Sequence, residues 1–232
     1  MKVEYIDHMG SDLSVVNAAR VSFDKESEWE CLLSDNENEV SYSKVLSNPD
    51  KKLIGYLAAH GHWSPFAHTS ISMRWKAPIF VARQLHKHQV GMTVNEVSRR
   101  YVKTEPELWW PEKWRKAAEN VKQGSSDEEY NGGLPEFVLD RAVGDARKAI
   151  LSYRSLIDLG MCPEQARMFL PQNTMTTWVW TGSLYAWVRV WKQRTYPTAQ
   201  AETRELVKSI EPIIKQHFPV SWEALTALSE TK

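Results

Sequence analysis

The chain has 232 residues, 42% hydrophobic and 25% charged, with 29 basic and 29 acidic side chains in balance. That size and composition suit one large domain or two small ones and exclude general disorder. Zero formal net charge leaves no global field to recruit nucleic acid or a membrane surface, so any anion site has to be built locally.

Two cysteines, Cys31 and Cys162, lie far apart and outside any CxxC pair, which argues against a disulfide framework or a Cys-rich zinc site. The N-terminus lacks the charged and apolar regions of a signal peptide, and no apolar run reaches about 18 residues. A soluble, cytoplasmic protein is expected.

Residues 2–8 read as a strand, followed by a helix from Leu13 to Val21 capped by Ser11 or Asp12. The stretch 24–47 is polar and aperiodic and reads as a surface loop. Asn48-Pro49 opens a helix that runs to Gly61, a C-terminal stop. Thr69 to Trp75 alternates with Ile71, Met73 and Trp75 on one face, which predicts a strand.

Pro78 starts a helix over PIFVARQLHKH, and a short strand over Arg100, Tyr101 and Val102 is expected beyond the next loop. Residues 123–133 are a second surface loop. Long helices are predicted over 135–159 and 198–217, with a strand from Thr174 to Trp180 and a helix from Ser183 to Gln193 between them. The whole, residues 1–232, reads as one α+β domain.

The chemistry concentrates in residues 83–101, RQLHKHQVGMTVNEVSRRY. Arg83 and Lys87 share a face if the helix continues through residue 88, and cations near a helix C-terminus have a purely structural explanation. Asn95, Glu96, Ser98, Arg99 and Arg100 go further: fork-shaped donors with a hydroxyl suit a phosphate, and an acceptor among them suits a ligand with its own O–H or N–H. That combination suggests a nucleotide.

His60, His62, His68, His86 and His88 lack the carboxylate or Cys that would complete a metal set, so neutral, hydrogen-bonded histidines are expected and no metal is assigned. Arg167 falls in a short helix before Pro171. Arg194 lies among Trp191, Tyr196 and Pro197, either as a structural ion-pair partner or as a stabiliser of a ligand anion. The 11 tryptophans are read as packing, with planar-ligand stacking as the alternative.

Segments 18–23 (AARVSF), 60–68 (HGHWSPFAH), 76–84 (KAPIFVARQ), 95–101 (NEVSRRY), 166–172 (ARMFLPQ) and 199–202 (AQAE), in this order, resemble the flavin-dependent thymidylate synthases, the ThyX family. The resemblance implies a single domain with a small, mostly antiparallel sheet packed by long helices, assembled as a homotetramer whose subunits share active sites. It implies methylation of dUMP to dTMP, with 5,10-methylenetetrahydrofolate as carbon donor, NADPH as reductant and FAD as cofactor, and no cysteine nucleophile.

By position, the resemblance assigns His62, Ser64, Lys87, His88, Gln89, Asn95, Glu96, Ser183, Tyr185 and Arg189 to FAD. It assigns Gln84, Lys87, Glu96, Val97, Ser98, Arg99, Arg100, Arg167 and Arg194 to the nucleotide. Arg167 would come from a neighbouring subunit, and Arg194 is the catalytic residue that favours ionised uracil. The sequence departs from the family where Lys87 and Gln89 replace two arginines of an Arg-His-Arg triplet, and where the loop from His88 to Asn95 is one residue longer. Ser183, Tyr185 and Arg189 likewise replace an Asn/Arg/Asn pattern. A single-strand nucleic-acid binder and a zinc hydrolase are the competing classes, and the neutral net charge and the incomplete ligand set weigh against them respectively.

Overall fold

A computed structural model describes residues 1–36, 39–119, 126–130 and 135–227, with the backbone alone described for 33–36 and 39–41. Strand β1 (Lys2–Met9) leads into helix α1 (Asp12–Arg20), whose entry is fixed where the Ser11 N–H donates to Ser14 Oγ at 3.0 Å. Residues 30–45, expected as loop, form strands β2 (Glu30–Asn36) and β3 (Glu39–Val45), an isolated antiparallel ribbon. Its strands pair through their backbone ladder, and Leu32 and Tyr42 are exposed. Exposed apolar side chains such as these are not confined to a buried face, so alternation does not mark the strands.

Helix α2 (Asn48–Ala59) is capped by the Ser47 hydroxyl, which accepts from the Asp50 N–H, and it ends as expected at Gly61, whose φ of +69° suits a glycine. Strand β4 (Ser70–Pro78) buries Ile71, Met73, Trp75 and Ala77, the predicted face extended by one more residue. Helix α3 (Ile79–Leu85) stops before His86, so Arg83 and Lys87 do not share a continuous helical face.

Strand β5 (Met92–Glu96) lies within the stretch read as loop. The strand expected over residues 100–102 is instead a turn, in which the Tyr101 and Val102 N–H groups both donate to the Ser98 carbonyl. Of the 123–133 segment only 126–130 are described, and Glu129 there bridges to Arg115; the remainder of that loop lies outside the described residues.

Helix α4 (Glu136–Asp158) leads to α5 (Pro163–Ala166) and a tight turn at Arg167–Phe169, ahead of Pro171. Strand β6 (Met175–Ser183) feeds α6 (Leu184–Arg194), capped where Ser183 Oγ accepts from the Ala186 N–H at 3.2 Å. The single helix expected over 198–217 divides into α7 (Ala201–Lys208) and α8 (Ile210–His217). Pro212 is the physical reason, because it has no N–H and its ring crowds the carbonyl of Lys208.

Helix α9 (Pro219–Ala227) has no counterpart in the sequence-based reading. Its amino end is capped from the other end of the chain: the buried Asp12 carboxylate accepts from the Val220 and Ser221 N–H groups, each at 2.9 Å. Burial pushes the Asp12 carboxyl up, and those hydrogen bonds oppose the shift.

The main sheet has the order β1-β4-β6-β5 with antiparallel pairing throughout. One face carries the core. Trp75 stacks on Trp178 and Trp187, Trp180 meets Trp187 edge-on at 5.0 Å, and all four indoles are buried. The Trp187 Nε1–H donates to the Ile71 carbonyl at 3.0 Å, anchoring α6 to β4. The indoles of β4, β6 and α6 are therefore packing residues. No helix among the described residues is long and apolar enough to cross a membrane.

Candidate active site

Strand β5 is an edge strand, and the chain beyond it bends over the start of β6. The Val97 N–H donates to the Thr177 carbonyl at 2.8 Å, after which Ser98 Oγ accepts from both the N–H and the Nε–H of Arg100. The resulting turn roofs a cleft of about 760 Å³ lined by Glu96, Val97, Ser98, Arg99 and Arg100, and by Arg167 from the turn after α5. One protomer thus brings together six of the residues singled out in the sequence. It also adds Lys76 and Gln172, which stand at the ends of two of the family-like segments, and Thr176 and Thr177, which carried no signal beyond lying in a Thr-rich strand.

The charges in this cleft differ in their engagement. Lys76 is paired with Glu107, and Arg99 donates to the Thr104 carbonyl. Arg100 and Arg167 are exposed and have no carboxylate partner among the described residues. Arg100 spends its Nε–H on Ser98 and keeps its terminal N–H groups clear of any carboxylate among the described residues, so with Arg167 it offers donors for a phosphate.

A second cleft, of about 170 Å³, opens where α3 and α6 end, lined by Lys87, His88, Gln89, Arg189, Gln193 and Arg194 among others. Arg194 is held in place: its Nε–H donates to His88 Nε2 at 2.8 Å and its Nη2 donates to the Gln84 carbonyl at 3.1 Å. A guanidinium only donates, so His88 Nε2 accepts and the neutral ring carries its proton on Nδ1. Burial, reinforced by Arg194 and Arg189, pulls the His88 pKa down to about 4. Burial also lowers the Arg194 pKa, in keeping with the partial desolvation expected of it.

Gln84 does not face either cleft with its side chain. It bonds to Gln200 and accepts from the Thr203 hydroxyl, tying α3 to α7. Gly91 closes the loop between the two clefts with a φ of +74°, and a Cβ there would meet Ala186 Cβ at 3.1 Å and Ser183 Oγ at 3.2 Å. The longer loop packs on the start of α6 only because residue 91 is glycine.

His62 and Ser64 lie apart, in a third cleft of about 760 Å³ between α1 and α2, which the 18–23 segment also lines. Beneath it Asp50 accepts from Arg20 at 2.6 Å and from Ser27 and Ser47. Trp63 tilts against Tyr185, so this cleft adjoins the amino end of α6. Ser183 serves as a helix cap, and Asn95 sits exposed on β5 opposite Val179. His60 Nδ1 lies 2.8 Å from the Tyr56 carbonyl, and no group of three metal-capable side chains occurs among the described residues. A fourth cavity, of about 730 Å³ and lined by Trp109, Trp110 and Trp114, has no counterpart among the sequence-predicted site residues.

Fold and site together define an α+β protein with a cationic, nucleotide-sized cleft at the edge of a small antiparallel sheet. The comparisons with known proteins go further. Residues 4–220 match the family described as "Thymidylate synthase complementing protein". The flavin-dependent thymidylate synthase of Thermus thermophilus is 35% identical, covering 96% of this chain and 74% of that protein. The enzyme of the same name from Thermotoga neapolitana is 33% identical over 96% of this chain and 89% of its own length. Among solved structures, the UMP/dUMP methylase PolB from Streptomyces cacaoi bound with 5-Br dUMP superposes with a TM-score of 0.77 at 29% identity, covering 97% of this chain and 94% of that one. The chain belongs to the flavin-dependent thymidylate synthase family, a family of methyltransferases.

Proposed function

We propose that this protein converts dUMP to dTMP in the cytoplasm, with FAD as cofactor, 5,10-methylenetetrahydrofolate as carbon donor and NADPH as reductant. The observation that carries the reading is the cleft in which Ser98, Arg100 and Arg167, none of them paired with a carboxylate among the described residues, present donors beside the Glu96 carboxylate. A nucleoside monophosphate matches it: phosphate for the donors, and a hydroxyl or ring N–H for the acceptor.

The residues assigned to FAD fit its chemistry. Lys87 and Arg189 are exposed cations on either side of neutral His88, a donor set for a diphosphate, while Tyr56 and Trp63 supply aromatic surface in the neighbouring cleft. Lys87 meets a phosphate as a point charge, without the fork of an arginine. When bound, FAD supplies the hydride chemistry.

The chain's own task is to make carbon 5 of uracil nucleophilic. Arg194 does this by stabilising negative charge pushed into the ring. The two hydrogen bonds that hold the guanidinium fix its orientation before the ligand arrives, and its partial burial strengthens the interaction. Neutral His88 accepts from Arg194 and adds no competing positive charge. Cys31 and Cys162 are both exposed and line none of these clefts, which supports a reaction without a cysteine nucleophile.

The residues assigned to the nucleotide divide between two clefts of one protomer, Glu96 to Arg100 with Arg167 in one and Lys87 with Arg194 in the other, which supports completion of each site by a neighbouring copy in a homotetramer. Leu151, Leu159, Met168 and Phe169 are exposed apolar side chains on α4 and the segment after it, available to such contacts. The absorbance spectrum of the purified protein tests the reading, with a flavin band expected and dUMP-dependent reoxidation of the reduced flavin by methylenetetrahydrofolate. Protein that neither retains nor titrates with FAD would overturn it.

A further inference from the structure

Glu96 is an unusual carboxylate for its place in the fold. It pairs in register with Trp178, so it points to the face of the sheet that carries the tryptophan core, at the outer edge of that face. Its side chain is 40% exposed, so it meets the cleft while its stem lies over the rim of the core. Thr176 lies two residues before Trp178 on the same face of β6, the diagonal neighbour of Glu96 across the strand pair. Its hydroxyl donates to Glu96 Oε1 at 2.6 Å, the short range of an O–H to carboxylate bond.

The other oxygen faces a histidine. His86 follows the last turn of α3, packs edge-on against Trp178 at 5.1 Å, and places Nδ1 3.9 Å from Glu96 Oε2. Its Nε2 is buried and has no hydrogen-bond partner among the described residues. Burial lowers the His86 pKa, so the ring is neutral near pH 7, and a single proton placed on Nδ1 faces the carboxylate. Glu96, partly exposed, thus has one oxygen held by Thr176 and its remaining lone pairs open to the cleft.

We propose that Thr176 and His86 are positioning residues that aim the Glu96 carboxylate at an O–H or N–H group of the bound nucleotide. The inference rests on the proposed dUMP site but assigns roles to two residues outside the residue set inferred above. Thr176 supplies the directional bond. His86 bounds the other side of the carboxylate, with Nδ1 3.9 Å from Oε2, and limits its swing in that direction.

The test is dUMP affinity by titration calorimetry on the full-length holoenzyme, with melting temperature and circular dichroism confirming the fold. Thr176→Val removes the hydroxyl at nearly constant volume and is expected to raise the Kd about tenfold, the usual effect of losing a hydrogen bond to a charged group. Thr176→Ser restores the hydroxyl and is expected to stay within about threefold of wild type, which loss of packing alone would not produce. His86→Phe keeps the ring against Trp178 but removes the nitrogen, and it is expected to weaken binding by a smaller factor.

In a Glu96→Ala background, Thr176→Val should add nothing, because its effect passes through the carboxylate. Thr176→Val with an unchanged Kd, or with the same effect in the Glu96→Ala background as in wild type, overturns the proposal. Wild-type protein that fails to bind dUMP overturns the functional reading first, and this inference with it. The sugar phosphate alone locates the contact: 2-deoxyribose 5-phosphate weakened in parallel with dUMP assigns it to the sugar hydroxyl, and an unaffected sugar phosphate assigns it to the base.

Discussion

The two cationic clefts of this molecule are built on opposite plans. In the cleft around Arg100 and Arg167 the guanidinium groups are exposed and lack carboxylate partners among the described residues. In the cleft around Arg194 the guanidinium is half-buried and tied to His88 and Gln84 before any ligand arrives. Open donors suit capture of an anion that arrives already charged. A fixed donor suits charge that develops during reaction, because it requires no reorganisation at that moment. The difference assigns binding to the first cleft and chemistry to the second.

The largest expected effect is therefore at Arg194. Arg194→Ala should lower turnover by about 10²–10³-fold, the usual cost of removing one such preorganised donor, while dUMP affinity changes little. Turnover within a few-fold of wild type would break the contrast between the clefts. Mixing Arg194→Ala chains with Arg100→Ala chains sharpens it: hybrid assemblies should recover activity if a site takes one cleft from each of two copies. No recovery would mean that both clefts serve a site within one chain.

A smaller effect of the opposite kind is expected from Arg100→Ala or Arg167→Ala. Each should raise the dUMP Kd about 10- to 100-fold, from the loss of a charge-assisted bond, with turnover at saturating dUMP largely retained. A fall in turnover without a change in Kd would reverse the assignment of roles.

The smallest effect concerns pH. The folded-state pKa of His88 is depressed from 6.5 to about 4, so the unfolded chain takes up this proton first and stability falls as the pH drops from about 6.5 towards 4. His86 and His217 are shifted in the same direction and share the slope. His88→Asn keeps a side-chain acceptor for Arg194 and removes only the share of His88, so the melting temperature should fall less steeply over that interval. Identical slopes for the two proteins would show that His88 is not held neutral by its surroundings.

Much of this architecture was legible because it rests on local signals. The alternation of Ile71, Met73 and Trp75 marked β4, and Gly61 marked the end of α2. The polar density of residues 95–100 marked a ligand site, since such a cluster of donors around one acceptor has no role in a core. Elements whose support comes from elsewhere were not legible. Strand β5 exists because β6 offers it a free edge, α9 because Asp12 caps it from some two hundred positions away, and the β2–β3 ribbon because its two strands satisfy each other.

The sequence alone determined which side chains are available to the site, and through six ordered segments it determined the family, because chemistry limits which residue types can hold a phosphate or polarise a ring. Only the tertiary structure decided how those side chains are grouped. It put Arg167 beside Ser98 and Arg100 within one protomer, gathered Lys87, His88, Arg189 and Arg194 into a separate cleft, and set Thr176 and His86 against Glu96. Cross-strand register and helix ends set those distances, and both depend on packing between segments that no local pattern records.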